Sequence, residues 1–378
     1  MENGKIKAAI AGCGVISDIY LQNLTKRFEI IKVTACYDRN QWKMDDKQAK
    51  YGVKPMPLEE ILNDPEITML INLTSPAGHY PITSEALKHG KHVYTEKMLA
   101  VTLEEGRELC RLAEENHVRL GVAPDTFLGG SIQTARYILD KGLIGEPLTA
   151  IVSLNRDYNV YGGFLPHLHK EGGNLPFDCG CYYLTALASL LGPADEVTAY
   201  ARTYNPHRVS DRVDKPWFES EIDVEGENIV TAIMKYRSGV LATVHINSEN
   251  IINEDPILTI FGTEGILYMG DPNQFGSPVY IEKPCGEKIQ FPFTHGYTEN
   301  ARGVGAAEMA WAIRGGRPHR ASREMAFHVF EQIHGMILSA RSGSKYVMTS
   351  TFERPAALPE GYQDNGFWGP CEESALIR

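Results

Sequence analysis

Short apolar runs alternate with longer amphipathic stretches over the first third of the chain. Residues 8–11, Ala-Ala-Ile-Ala, form an unbroken apolar run, as in a strand buried on both faces, and break into the turn Gly12-Cys13-Gly14-Val15-Ile16-Ser17. A helix is predicted over 16–28, then a β-rich run over 31–37, a helix around 58–62 and a second buried run over 69–73. A further helix opens near Pro81 and stops around His89-Gly90, and 92–95 reads as a strand. Thr102 caps a helix with Glu104 and Glu105 in its first turn, and 119–122 supplies a last strand. This alternation predicts an α/β unit, a doubly wound parallel sheet, over residues 1–124.

From Asp125 the period shortens. One helix over 132–139 leads into segments that alternate in the β manner: 148–154, 196–203, 229–236, 240–247, 257–261, 266–269 and 279–282. Turn signals such as Arg237-Ser238-Gly239 separate them, and helices are predicted over 177–191, 304–313 and 322–342. The pattern is that of an α+β domain with a large, mainly antiparallel, open-faced sheet over 125–378. The Pro- and Gly-rich tail after Phe352 is expected to wrap the surface or a neighbouring subunit.

Composition narrows function more than fold. Hydrophobic residues make up 43% of the 378 and charged residues 22%, as in soluble globular proteins. A net charge of −11 without any run of Lys or Arg argues against nucleic-acid and anionic-membrane partners. No apolar segment reaches the length of a membrane span, and the first residues lead straight into a strand, so no signal peptide is expected. The seven cysteines are scattered and lack Cys-x-x-Cys spacing, which fits reduced thiols in a cytoplasm.

The chemistry gathers at the carboxyl ends of the parallel strands, where Gly12, Asp38, Thr74, Lys97 and Pro124 fall along one crevice. Gly12 allows the tight bend and Gly14 the approach of a pyrophosphate to the next helix, whose N-terminus at Val15 and Ile16 favours an anion. Asp38 stands where a carboxylate takes the adenosine ribose hydroxyls, which favours NAD; Arg39 beside it leaves NADP open. Thr74, Ser75, Pro76, His79, Glu96 and Lys97 complete the candidate cofactor contacts.

Oxidising a carbinol requires its hydroxyl proton to leave, so such a site needs a base and a cation for the developing alkoxide; Lys97 can serve as either. On the substrate side, Asp125 follows the last parallel strand, and the loop 157–169 is aromatic and histidine-rich, with Tyr161, His167 and His169 as candidate sugar contacts. The two histidines lie two apart with no third ligand in sight, so no metal is predicted. Asp125 and His79 read equally as a helix cap or a hydrogen-bonded surface group.

The chain resembles the Gfo/Idh/MocA family of glucose–fructose oxidoreductase, inositol dehydrogenase and rhizopine-catabolism proteins. The resemblance covers nearly the whole chain. It is carried by 12–17, by Asp38-Arg39, by the run 86–97 ending Gly-Lys-His-Val-Tyr-Thr-Glu-Lys, by Gly172-Gly173 with Asp178-Cys179-Gly180, and by 316–322. It implies an NAD(P)-dependent sugar or polyol oxidoreductase, with a Rossmann domain and an open-faced sheet that often mediates contacts in a homodimer or homotetramer. It also implies that Glu96 contacts the cofactor and Lys97 works on the substrate hydroxyl, with Asp178 anchoring Lys97 or a sugar hydroxyl.

Two positions depart from the family. Met98 stands where a proline usually follows the lysine, which leaves the geometry of the 97–98 peptide open. Tyr182 replaces the histidine of the Asp-x-x-x-His pattern: either a phenolate stabilised by Lys97 and the oxidised cofactor takes the proton, or the ring packs and orients substrate. Three functions are therefore compatible with the sequence. One is a dehydrogenase of a sugar, inositol or glycoside; the second a glycosidase or epimerase that uses NAD transiently; the third a non-catalytic NAD sensor.

Overall fold

The structure, a computed structural model, describes residues 4–158, 165–211, 213–360 and 362. Its first half alternates strictly: β1 (Ile6–Ala11), α1 (Val15–Lys26), β2 (Ile31–Tyr37), α2 (Gln41–Tyr51), β3 (Lys54–Pro55), α3 (Leu58–Asn63), β4 (Met69–Asn72), α4 (Pro76–Lys88), β5 (His92–Thr95), α5 (Leu103–Glu115) and β6 (Leu120–Val122). The strands form one parallel sheet in the order β3-β2-β1-β4-β5-β6. Its centre is dry, since Ala8 to Ala11 and Met69 to Ile71 are each fully buried, as parallel strands covered on both faces must be.

Two differences from the sequence pattern have local causes. Helix α4 starts at Pro76, well before Pro81, because Ser75 is extended and Pro76 fills the first helical position, where its missing N–H costs nothing. Helix α2 is absent from the sequence pattern because it buries only Met44 and Lys47 and so carries little apolar period.

The second half contains α6 (Gly130–Asp140), β7 (Pro147–Asn155), α7 (Leu175–Asp178), α8 (Gly180–Leu191), β8 (Ala194–Arg202), β9 (His207–Val209), β10 (Glu221–Asp223), β11 (Ile229–Tyr236), β12 (Leu241–Asn247), β13 (Ile257–Gly262), β14 (Ile266–Met269), β15 (Val279–Glu282), β16 (Ile289–Phe291), α9 (Val304–Arg314), α10 (Arg323–Ser342) and β17 (Tyr346–Val347). Nine strands make a sheet in the order β16-β15-β14-β13-β7-β12-β11-β8-β17, antiparallel except where β7 and β12 run together. Strands β9 and β10 form a separate hairpin that the sequence pattern does not reveal.

One face of the large sheet packs on helices, and every residue of α8 is buried. Strand β7 shows the division, with Ala150, Val152 and Leu154 inside and Thr149 and Ile151 outside. The halves are joined by more than the chain. Val122 donates to the Ala321 carbonyl at 3.2 Å, so the segment before α10 lies along β6. The tail to Glu360 lies on its own chain, where Arg320 donates to the Ala356 and Ala357 carbonyls and Leu358 donates to Gln133.

Candidate active site

The glycine turn after β1 is shaped by backbone contact. Gly12 has φ of +99°, and a Cβ there would lie 2.6 Å from the Leu73 carbonyl carbon and oxygen, so only glycine fits. A Cβ on Gly14 would meet nothing within 4 Å; this residue faces open space at the N-terminus of α1, where unpaired N–H groups draw an anion. Val15 opens that helix largely exposed, with Ile16 half-buried behind it.

Asp38 stands at the carboxyl end of β2. Its Oδ2 accepts from the Cys13 N–H at 2.9 Å and its Oδ1 from the Asn40 N–H at 2.9 Å. Burial opposes its charge, but these donors and Lys43 together hold the carboxyl below its ordinary value. Gly12, Gly14, Asp38, Arg39, Lys43, Thr74 and Ser75, with Leu165 from the second half, line a cleft of about 650 Å³. A helix N-terminus open to an anion at one point and a carboxylate at the end of β2 at another fit a dinucleotide.

A second cluster assembles from four segments. Lys97 follows β5, Tyr158 follows β7, Asp178 ends α7 and Tyr182 lies in the first turn of α8. The Lys97 ammonium donates to the Asp178 carbonyl at 2.7 Å and to its Oδ1, while Oδ2 accepts from the Tyr158 hydroxyl at 2.5 Å. Lys97 Nζ also lies 5.4 Å from the centre of the Tyr182 ring, within cation–π range.

The charges follow from this geometry. Burial alone would discharge Lys97, but the Asp178 carboxylate outweighs it and the amine titrates well above its usual range. Burial likewise works against the Asp178 charge, and Lys97 and Tyr158 keep it below the usual carboxylate value. Tyr182 is different. Burial drives its phenol well above the ordinary value, and Lys97 opposes this without prevailing. His167 belongs to the same cluster: burial pushes its imidazole below the usual value, and the charges of Asp178 and Lys97 both act on it.

Glu96 ties this cluster to the cofactor side, accepting from the Tyr20 hydroxyl of α1 at 2.8 Å and from the Lys97 N–H at 3.0 Å. The Lys97–Met98 peptide is cis.

Two residues that the sequence nominates for ligand contact have other partners in the fold, and a third is buried. Asp125 is 1% exposed, and its Oδ2 accepts from the N–H groups of Gly303 and Gly305 at 2.9 and 3.0 Å; it caps α9 rather than meeting substrate, and burial raises its carboxyl to about 6. His79 is equally buried with both ring nitrogens on backbone carbonyls, so it offers the cofactor nothing. His169 is buried with no hydrogen-bond partner for its Nε2 among the described residues, and burial, with the nearby charge of Arg208, lowers it to about 4. Tyr161 lies outside the described residues.

Sequence reasoning missed Tyr158, Lys43 and Arg302. Tyr158 belongs to the aromatic loop already singled out, but nothing in that loop distinguishes it from its neighbours. Arg302, held by Asn300 and Asn273, brings its charge to Tyr182 from just before α9, where no pattern marks it. Among the described residues no group of three or more His, Cys, Asp or Glu side chains is arranged to hold a metal ion.

Comparison with known proteins places both halves of the chain in one family. Residues 6–123 match the model of an oxidoreductase family with an NAD-binding Rossmann fold, and 132–268 match that of the GFO/IDH/MocA C-terminal domain. A scyllo-inositol 2-dehydrogenase (NADP(+)) of Bacillus subtilis is 31% identical over 206 residues, covering 51% of this chain and 54% of the relative. A D-xylose dehydrogenase of Paenarthrobacter nicotinovorans is 26% identical over 182 residues, 45% of this chain and 46% of that one. The chain spans about half the length of these curated relatives. An NAD-binding oxidoreductase from Klebsiella pneumoniae has the same fold, with a TM-score of 0.79 at 20% identity over 92% of this chain and all of the other. With both halves matched, the chain belongs to the Gfo/Idh/MocA oxidoreductase family.

Proposed function

We propose that the chain is an NAD(P)-dependent dehydrogenase acting on a CH–OH group of a sugar, inositol or other polyol, with Lys97 as its main proton-handling residue. The observation that carries this reading is the hydrogen-bonded series Lys97–Asp178–Tyr158 beside the glycine-turn cleft. The relatives named as scyllo-inositol and D-xylose dehydrogenases support the substrate class.

Gly12, Gly14, Asp38 and Thr74 would hold the dinucleotide, whose nicotinamide supplies a two-electron acceptor or donor when bound. The residues of the chain do the rest. Lys97, kept as an ammonium, donates a hydrogen bond to the reacting oxygen and stabilises charge as it develops there. In the reduction direction the ammonium delivers a proton to the reacting oxygen and is left as the amine; in the oxidation direction the ammonium first passes a proton to neutral His167 and, as the amine held by Asp178, then takes the hydroxyl proton. Tyr182, protonated, donates to a substrate oxygen rather than acting as a base. Asp38 favours NAD, while Arg39 and Lys43 on the same wall accommodate a 2′-phosphate, so NADP binds more weakly rather than not at all.

The outer face of the large sheet, where Ile151, Ile233 and Leu241 are exposed, is the proposed contact of a homodimer or homotetramer. The deciding experiment screens purified protein with NAD⁺ and NADP⁺ against sugars, inositols and glycosides, following reduced nicotinamide. Substrate-dependent accumulation of NADH is the expected result. Product formed without net NADH would indicate transient oxidation instead, and cofactor binding with no turnover would indicate a sensor.

A further inference from the structure

His79 is 1% exposed and makes two contacts that join the two halves of the site: Nδ1 lies 2.5 Å from the Met98 carbonyl oxygen and Nε2 2.9 Å from that of Thr74. Met98 directly follows Lys97. Thr74 carries the backbone N–H against which Gly12 packs, since a Cβ on Gly12 would lie 2.7 Å from its nitrogen. One imidazole ring thus spans from the floor of the glycine turn to the peptide that carries the ammonium. Its own position is fixed from the end of β4. The Asn72 side chain donates to the His79 carbonyl at 3.2 Å and to Thr83 at 3.1 Å and accepts from the Thr74 hydroxyl at 2.7 Å, while the Asn72 main-chain carbonyl takes the Glu96 N–H at 2.8 Å.

We propose that His79 is a positioning residue: it holds the Lys97 backbone in register with the cofactor turn, so that the ammonium meets Asp178 and the reacting oxygen together. The inference rests on the reading of Lys97 as the proton-handling group. Burial keeps the ring neutral, so it carries one N–H, assigned here to Nδ1 on the shorter contact, while Nε2 only packs against the Thr74 carbonyl; without the ring the buried Met98 carbonyl loses its donor and its loop shifts to find water or another. A displacement of about 1 Å at a reacting group is enough to cost about a hundredfold in rate.

The test reads Lys97 itself, by trace acetylation with acetic anhydride and mass spectrometry. Exposed Lys88 serves as reference, and buried Lys47 and Lys91 as controls for general loosening. In the unaltered protein Lys97 reacts at least tenfold more slowly than Lys88. In His79→Leu its rate rises at least fivefold while Lys47 and Lys91 stay protected and the NAD⁺ dissociation constant, by calorimetry, moves less than threefold. His79→Gln, whose amide supplies two N–H donors, restores most of the protection. A Lys97 rate unchanged in His79→Leu, or raised in step with Lys47 and Lys91, overturns the proposal, as does a His79→Gln variant no better than His79→Leu. Full turnover in Lys97→Ala would instead overturn the reading of the lysine and leave the labelling result standing.

Discussion

The two parts of the site are built by different means. The cofactor cleft is a backbone structure: Gly12 packs on the Leu73 carbonyl, Gly14 faces open space, and Asp38 is held by two main-chain N–H groups. The proposed catalytic cluster is a side-chain structure in which Lys97, Asp178, Tyr158 and Tyr182 converge from four segments. Damage to the first should therefore appear in binding and folding, and damage to the second in turnover alone.

The largest effect is expected at the turn. Gly12→Ala forces a side chain into a positive-φ position against backbone, at roughly 2 kcal/mol or more, and calorimetry should show NAD⁺ affinity falling at least a hundredfold with a lowered melting temperature. Asp178→Asn keeps the shape but removes the charge that holds the ammonium; kcat should fall about a hundredfold while the NAD⁺ dissociation constant stays within threefold. A comparable loss in cofactor affinity would show that the two regions are not separable in this way.

Asp38→Asn should lower the preference for NAD over NADP about tenfold, read as the ratio of kcat/KM values, since Arg39 and Lys43 then face the 2′ position unopposed. The smallest effect belongs to Asp125. Its folded value of about 6 lies above the ordinary 3.8, so its contribution to stability is full below about pH 4 and is lost as pH rises through 6. Asp125→Asn should remove that slope from urea-denaturation stabilities while leaving kcat at pH 7 within twofold.

The same division explains what is legible in the sequence. The glycine turn, Asp38 and the strand alternation are readable because backbone geometry restricts residue type locally: no other residue takes the place of Gly12. Asp178 and Lys97 are readable through family likeness, and the structure places them in contact. Tyr158 and Arg302 are not, because their roles depend on which segments meet in three dimensions: the aromatic loop does not set Tyr158 apart from its neighbours, and no local pattern marks Arg302. Asp125 misleads for a related reason. Its position after the last parallel strand is right for a substrate ligand, but the start of α9, far along the chain, takes its carboxylate.

The most direct test of the central claim compares Lys97→Ala with the unaltered protein, measuring NAD⁺ binding by calorimetry and turnover with the best substrate of the panel. Binding within threefold and turnover reduced at least a thousandfold is the predicted result. Undiminished turnover in Lys97→Ala would contradict the account.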